Sequence, residues 1–166
     1  LRQNDVMQVF GNFVGEMLQT PPMVSAIKVN GKRLYEIARQ GKTIDRTPRK
    51  IHIYDLQLIR FYEEAIPDID QLRSFTKVDF RVLCSRGTYV RSLASDVGDS
   101  LGCGAHLSRL VRTRSGCFTI DDSIELEAIR NEPQIAVSAL RSIDDALSFM
   151  PLITVSDFGK KRFVNG

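Results

Sequence analysis

The chain of 166 residues is 43% apolar and 26% charged, a composition typical of a globular protein with one core. Its three cysteines contain no Cys-x-x-Cys pair, which argues against a disulfide framework or a zinc site and favours a reducing, cytoplasmic compartment. No apolar run reaches membrane-spanning length and no signal-peptide pattern opens the chain, so we expect no membrane association.

The net charge of +3 is unevenly distributed along the sequence. Residues 26–50 contain eight Lys or Arg and two acids, and residues 86–114 contain five Arg and two Asp. Residues 121–145 contain seven acids and two Arg. Two basic stretches are what a phosphate-binding surface requires, although a solvated charged face explains each stretch alone equally well.

The first predicted element is an amphipathic helix over residues 4–18, where apolar side chains recur at helical spacing. Pro21 and Pro22 end it, because proline cannot donate a backbone hydrogen bond. Residues 23–32 predict two short extended pieces around Asn30-Gly31, a dipeptide suited to a tight hairpin turn. Residues 34–38 then predict a short helix closed by Gly41.

The middle of the chain predicts strands. In residues 51–58 the apolar positions change parity, which predicts a bulge near Tyr54 and Asp55. Residues 63–74, with Pro67 and several acids, predict a surface connection with room for a short helix. Residues 77–82 alternate charged and apolar side chains, as a strand with one buried face does.

A helix and a further strand are predicted over residues 88–113, with Thr88 as the helix N-cap and a strand over residues 105–113. Tyr89 and Arg91 fall in the first helical turn, where unpaired backbone amides favour an anion. Leu110 is the one large apolar residue in a row of polar ones, as a wall for a flat aromatic ligand would be. Spacing alone favours a structural alternative, in which Tyr89 packs, Arg91 caps a carboxylate and Leu110 has no role.

The remaining residues predict short elements. A strand is expected over residues 117–120, followed by helices that begin near Asp122 or Ser123 and at Ser142. From residue 151 the pattern changes, with a strand-like segment at 152–155 and a short helix at 156–164, closed by Asn165-Gly166.

Two long segments of this sequence resemble the TruB-type tRNA pseudouridine synthases. They are PPMVSAIKVNGKRLYEIARQG and GTYVRSLASDVGDSLGCGAHLSRLVRTRSG, in the family's order. The resemblance implies an α+β fold with a mixed, largely antiparallel sheet flanked by helices. It implies that residues 1–150 are the C-terminal part of the catalytic domain, with an RNA-binding thumb insertion at about residues 21–50. Residues 151–166 would be the truncated start of a small C-terminal RNA-binding domain.

The same resemblance implies the reaction: the T-loop uridine of tRNA (uridine-55) is flipped out, its uracil is detached, and the base is rejoined to ribose through C5, without metal or organic cofactor. An Asp acts as nucleophile. Arg91 corresponds to its ion-pair partner, Tyr89 to a residue beside the base, and Leu110 to the apolar wall beneath it. The nucleophile motif lies N-terminal to everything present here, and Leu1 is not an initiator residue, so we expect the natural chain to begin upstream.

None of the chain's own Asp residues fits the nucleophile position. Asp96 and Asp99 follow Arg91 on the predicted helix and are expected to point away, and Asp79 is expected to face solvent. The chain alone is therefore expected to be inactive.

The thumb is expected to close on the tRNA T-arm, mainly through phosphate contacts. The residues assigned to RNA binding are Lys28, Lys32, Arg33, Tyr35, Arg39, Arg86 and Arg112. Val24 stands where many relatives carry an aromatic residue. We expect no membrane, metal or obligatory protein partner.

Two other functions are compatible with these features. One is a non-catalytic tRNA-binding or RNA-folding module that uses only the thumb and the basic surface. The other is a guide-dependent relative that modifies ribosomal RNA with accessory proteins. An upstream nucleophile motif would distinguish the synthase from the first, and independence of a guide RNA would distinguish it from the second.

Overall fold

A computed structural model describes residues 1–29, 31–67 and 72–165. The chain divides into two units, Leu1–Arg109 and Leu110–Gly166. Within the described ranges, no helix combines the length and the apolar character needed to cross a lipid bilayer.

The first unit contains the main sheet. Its elements, in chain order, are α1 (Gln3–Asn12), β1 (Gly15–Gln19), β2 (Lys28–Val29), β3 (Lys32–Arg33), α2 (Leu34–Arg39), β4 (Arg49–Pro67), β5 (Leu72–Cys84) and α3 (Val90–Ser100). One sheet has the order β1–β4–β5, and β2 pairs with β3 as a separate ribbon. The described pairings are all antiparallel, which confirms the predicted α+β class with its largely antiparallel sheet and flanking helices.

The core of this unit forms where α1 and α3 pack against the sheet. Its buried side chains are Val6, Phe10, Phe13, Ile51, Ile53, Leu56, Leu93 and Val97. Phe10 meets Phe80 of β5 edge to face, with 5.7 Å between the ring centroids. Because α3 contributes Leu93 and Val97 to this core, its first turn is held at a fixed place beside the sheet.

The helix predicted over residues 4–18 is wrong in its second half. α1 ends at Asn12, and residues 15–19 instead form β1 against β4. Gly15 has a φ of +112°, which side-chain-bearing residues rarely adopt, and this conformation separates helix from strand. Pairing with a distant strand thus outweighs the local helical spacing.

The predicted bulge in β4 is confirmed, because the register with β5 shifts between Ile53 and Asp55. The surface connection predicted over residues 63–74 is wrong in its described part: β4 continues to Pro67 and β5 begins at Leu72, while residues 68–71 lie outside the described residues. Two ion pairs bridge β4 and β5, one between Lys77 and Glu64 and one between Arg60 and Asp79. Glu64, one of the acids that suggested a loop, is therefore paired across the β4–β5 ladder.

The two extended pieces and the short helix predicted within residues 21–50, a segment called the thumb below, are present. β2 and β3 make a two-stranded ribbon, with Gly31 at a φ of +79°, and Asn30 lies outside the described residues. α2 follows directly, and Gly41 has a φ of +72° just beyond its end. The amide of Leu34 donates to the carbonyl of Ile27 at 2.8 Å, which ties the start of α2 to the residue just before β2.

The segment around α3 departs from the prediction at both ends. Tyr89, not Thr88, is the N-cap residue of α3. The strand predicted over residues 105–113 is not formed, since no strand in the described part of the chain pairs with it. Alternation of side chains can define a face, but a strand also needs a neighbour for its backbone groups.

The second unit consists of short elements: β6 (Arg114–Ser115), β7 (Phe118–Thr119), a 3-10 turn (Ile120–Asp122), α4 (Leu126–Asn131), α5 (Gln134–Ser138), α6 (Ile143–Ala146) and α7 (Asp157–Asn165). The strand near 117–120 and the helix start at Ser142 are confirmed, with the Ser142 hydroxyl accepting from the Asp145 amide at 3.0 Å. The first predicted helix begins later, at Leu126, and α5 was not predicted.

Two predictions for the end of the chain have different outcomes. The strand at 152–155 is not formed, whereas the helix predicted at 156–164 is present as α7. Gly166, part of its predicted closing pair, lies outside the described residues. None of the described residues 110–164 is buried, so the packing that a strand at 152–155 would need is missing here.

Candidate functional site

A cleft of about 630 Å³ lies between the thumb and the first turn of α3, and it is called the thumb cleft below. Its lining residues are Val24, Ser25, Ala26, Tyr35, Ala38, Arg39, Tyr89 and Arg91. The volume is in the range of small-molecule sites and is sufficient for one nucleotide base. The cleft therefore brings together four predicted site residues from two distant parts of the sequence: Tyr35, Arg39, Tyr89 and Arg91.

Arg91 is the second residue of α3 and reaches across the cleft to the thumb. Its Nη2 donates to the backbone carbonyl of Val24 at 2.8 Å, between residues 67 apart in sequence. A guanidinium has five N–H donors, so this bond leaves donors for a second acceptor. Its position at the helix N-terminus adds to the positive potential at the α3 end of the thumb cleft.

Tyr89 is fixed through its backbone rather than its hydroxyl. Its amide donates to Oε1 of Gln19 at 2.8 Å, and its carbonyl accepts from Nε2 of Gln19 at 3.2 Å. The same carbonyl also accepts from the amide of Leu93, within α3. The Tyr89 ring is half-buried and lines the thumb cleft.

Tyr35 organises the basic side chains of the thumb. Arg33 donates from Nη1 to the Tyr35 hydroxyl at 2.9 Å, and this hydrogen bond is the main cause of the raised pKa of Arg33. The guanidinium carbons of Arg33 and Arg39 lie 5.8 Å and 5.3 Å from the ring centroid of Tyr35. One aromatic ring thereby orders two of the predicted phosphate ligands.

The other basic residues predicted in the thumb are exposed on its ribbon. Lys28 lies directly opposite Arg33, and Lys32 lies opposite Val29. Like charges directly opposite on paired strands repel each other. A phosphate between Lys28 and Arg33 would relieve this repulsion, as expected of a polyanion-binding surface. Arg86 is exposed in the turn before α3.

A second cleft of about 530 Å³ lies on the other side of Arg91. Asp96, expected to point away, instead lines this cleft together with Arg91, Ser92 and Ser95. Burial raises the pKa of Asp96, and the nearby Asp99 raises it further. Asp99 and Asp79 are exposed, as predicted, and Asp79 accepts from Arg60 at 3.1 Å.

Leu110 and Arg112, the remaining predicted site residues, belong to the second unit. Both are exposed there, Leu110 to 57%. The role of Leu110 as a wall beneath the base stays a prediction. In the part of the chain that the structure describes, no three His, Cys, Asp or Glu side chains cluster as metal ligands would.

Two polar residues of the site were not predicted. Gln19 is 3% exposed and Ser25 is 7% exposed, yet both belong to or adjoin the thumb, where polar residues usually face solvent. Ser25 holds the base of α2, since its carbonyl accepts from the amide of Tyr35 at 3.1 Å. A single polar residue has no periodicity, and its burial depends on contacts made 70 residues away in the case of Gln19.

Comparison with protein families agrees with this arrangement. Residues 1–90 match the family model described as TruB family pseudouridylate synthase (N terminal domain). Residues 91–148 match the model described as tRNA pseudouridylate synthase B C-terminal domain. The boundary between the two matches falls between Tyr89 and Arg91, within the first turn of α3.

Individual proteins agree as well. The chain is 40% identical to tRNA pseudouridine synthase B of Syntrophomonas wolfei, over 97% of this chain and 51% of that protein. It is 42% identical to the protein of that name from Geobacillus thermodenitrificans, over 98% of this chain and 52% of that protein. It thus spans about half the length of these curated relatives.

Among solved structures, a chain of a Cbf5–Nop10–Gar1 complex superposes with a TM-score of 0.69 and 27% identity, covering 100% of this chain and 45% of the other. The resemblance seen in the two sequence segments is thereby confirmed, since family models match residues 1–148 and the matched structure is that of a pseudouridine synthase complex, Cbf5–Nop10–Gar1. The chain belongs to the TruB family of pseudouridylate synthases.

Proposed function

We propose that this chain carries the RNA-binding thumb and part of the uracil-binding site of a tRNA pseudouridine synthase. The enzyme isomerises the T-loop uridine of tRNA, uridine-55, to pseudouridine. The observation that carries this proposal is the thumb cleft, in which Tyr89 and Arg91 of the α3 turn face Tyr35 and Arg39 of the thumb.

Arg91 is proposed to pair with the nucleophilic carboxylate. The guanidinium is already held at one end by the Val24 carbonyl, so it can present its remaining donors in a fixed orientation. A neighbouring cation lowers the pKa of a carboxyl and keeps it ionised. This is the state in which an Asp can attack.

The nucleophile is proposed to be none of the Asp residues discussed above. Asp79 is exposed and bonded to Arg60, and Asp99 is exposed. Asp96 lines the second cleft rather than the thumb cleft. The carboxylate would come from sequence outside these 166 residues, and the chain alone would be inactive.

The base itself is proposed to lie against Tyr89. The resemblance also assigns Leu110 as the apolar wall beneath the base. Extrusion of a uridine from a folded loop costs a few kcal/mol, which binding of the surrounding RNA can offset. No metal or organic cofactor enters this chemistry. The uracil leaves ribose and returns through C5, so the C5 hydrogen is released to water.

The T-arm of tRNA is proposed as the RNA partner, held by phosphate contacts from Lys28, Lys32, Arg33 and Arg39, with Arg86 and Arg112 beyond the thumb. The placement of Lys28 opposite Arg33 on the ribbon supports this, as does the ordering of Arg33 and Arg39 by Tyr35. Contacts of this kind give affinity and register rather than base specificity.

Sequence identity to known proteins favours a tRNA enzyme over a guide-dependent one. The relatives named tRNA pseudouridine synthase B are 40% and 42% identical, against 27% for the Cbf5 complex. We also propose residues 1–150 as part of the catalytic domain and residues 151–166 as the start of an RNA-binding domain. A cytoplasmic location agrees with the free Cys84, Cys103 and Cys117.

The test is tritium release from a T-arm RNA hairpin labelled at C5 of the target uridine. The complete natural protein should release tritium without guide RNA or accessory protein, whereas this 166-residue chain should bind the hairpin without release. Release by the 166-residue chain would assign the nucleophile to one of its own Asp residues. Binding without release by the complete protein would favour the non-catalytic module instead.

A further inference from the structure

The buried side chain of Gln19 is an unexplained polar feature of the core-facing end of β1. It is the last residue of β1, opposite Arg49 of β4, and it directly precedes the thumb. Burial of a primary amide is unfavourable unless its donor and acceptor are both used. The residue is 3% exposed, so its partners must be protein groups.

Both partners are backbone groups of one residue, Tyr89. Oε1 of Gln19 accepts from the Tyr89 amide at 2.8 Å, and Nε2 donates to the Tyr89 carbonyl at 3.2 Å. A backbone N–H only donates and a carbonyl only accepts, so the orientation of the Gln19 amide is fixed by the protein itself. The side chain pairs with Tyr89 as a neighbouring strand would.

Tyr89 needs such a partner. It is the N-cap residue of α3, and its own side chain makes no capping hydrogen bond. The first amides of a helix have no partner within the helix. Gln19 satisfies one of them and also holds the carbonyl that receives the Leu93 amide. The direction in which the Tyr89 ring and the Arg91 guanidinium leave the helix follows from this anchor.

We infer that Gln19 is a positioning residue for catalysis, which sets Tyr89 and Arg91 in the thumb cleft through the backbone of Tyr89. This inference rests on the proposed function. Gln19 does not line the thumb cleft, and it is not expected to touch RNA. Its loss should therefore lower kcat and leave KM for RNA nearly unchanged.

The experiment compares Gln19→Met and Gln19→Glu with the parent in the complete natural protein. Methionine keeps the length of the side chain but makes neither hydrogen bond. The carboxylate of Gln19→Glu can still accept from the Tyr89 amide but cannot donate to its carbonyl. Tritium release at saturating T-arm hairpin gives kcat, and hydrogen exchange at the Tyr89 amide reports the contact itself.

Both variants should lose at least about 10-fold in kcat, because a small misplacement of catalytic groups is costly. KM should stay within about 3-fold, since no ground-state contact to RNA is removed. The Tyr89 amide should exchange faster in Gln19→Met and stay protected in Gln19→Glu. Gln57→Met, at an exposed position of β4, should match the parent in all three measurements.

Ile53→Val is the control for a loss of stability without loss of the Gln19–Tyr89 contact. Ile53 is fully buried in the core and is hydrogen-bonded to neither Gln19 nor Tyr89. If Gln19→Met retains parental kcat while its Tyr89 amide exchanges faster, the inference is wrong. It is also wrong if kcat falls no further than in Ile53→Val at equal loss of thermal stability. Absence of tritium release by the parent would instead refute the proposed function.

Discussion

The guanidinium of Arg91 donates to the backbone carbonyl of Val24 at 2.8 Å, which joins the first turn of α3 to the thumb. The acceptor is a backbone atom, so the contact does not depend on the side chain at position 24. Val24 is 56% exposed and lines the thumb cleft, so an aromatic residue there would extend into the cleft without disturbing the hydrogen bond. A change of the side chain at position 24 would therefore leave the link intact.

Removal of the Arg91 side chain should abolish turnover but not binding. Arg91→Ala is expected to lower tritium release by at least about 1,000-fold, while affinity for the T-arm hairpin changes by less than about 3-fold. Arg91→Lys keeps the charge but not the planar fork of donors, so it should recover only part of the rate. A parallel loss of binding and turnover would identify Arg91 as a phosphate ligand.

Charge removal on the thumb should weaken RNA binding without abolishing turnover, the reverse of the result expected for Arg91→Ala. Lys28→Ala with Lys32→Ala is expected to weaken RNA binding and to reduce the slope of log affinity against log salt by about 1 to 2, while kcat at saturation persists. Arg130→Ala with Arg141→Ala removes the same charge from the acidic stretch and should leave the slope unchanged. An unchanged slope in the thumb variant would exclude the ribbon from the RNA interface.

The ionised form of Asp96 should destabilise the fold. Burial raises the pKa of Asp96 above that of an unfolded Asp, so the native state favours its protonated form. Stability from this group is therefore present below the unfolded pKa and is lost as pH rises through the native pKa. Asp96→Asn should raise the urea midpoint at pH 7, with the gain disappearing at pH 3.

Asp45→Asn, at an exposed position, controls for charge removal and should show no comparable change with pH. A lower urea midpoint for Asp96→Asn at pH 7 would mean that the carboxylate has a stabilising partner.

Two glycine substitutions should act in opposite directions. A Cβ at Gly98 of α3 would overlap the backbone of Gly104 and Ala105, so Gly98→Ala should destabilise by at least about 2 kcal/mol. A Cβ at Gly11 of α1 meets nothing, and Gly11→Ala should stabilise by about 0.5–1 kcal/mol because alanine favours helix. Urea unfolding measures both. Equal effects at the two positions would show that residues 104–105 move away freely.

The parts of the fold that the sequence predicts well are those with local signals. Gly31 and Gly41 mark turns by their backbone conformation, and the parity change in β4 marks its bulge. β1 was missed because its partner β4 lies 30 residues further on. The spacing that places Met17 on the apolar face of a helix also allows it to lie on one face of a strand. The strand predicted at 105–113 failed for the converse reason, since alternation without a partner makes no ladder.

The site residues also divide into those that the sequence predicts and those that depend on distant contacts. Tyr35, Arg39, Tyr89 and Arg91 were predicted by resemblance, and the structure brings them to one cleft. Gln19 could not be predicted, because its importance comes from two hydrogen bonds to a residue 70 positions away. A polar residue at the end of a strand and before two prolines looks like the start of a loop.

The proposed uridine site is tested most directly by filling the thumb cleft. Ala38 of α2 lines it, and Ala38→Trp would place an indole where the flipped uridine is proposed to bind. Ala128→Trp, on α4 of the second unit, adds the same bulk outside the cleft. With both variants folded by circular dichroism, tritium release should be lost in Ala38→Trp and retained in Ala128→Trp. Parental release by Ala38→Trp would contradict the proposed site, because the uridine would then bind elsewhere.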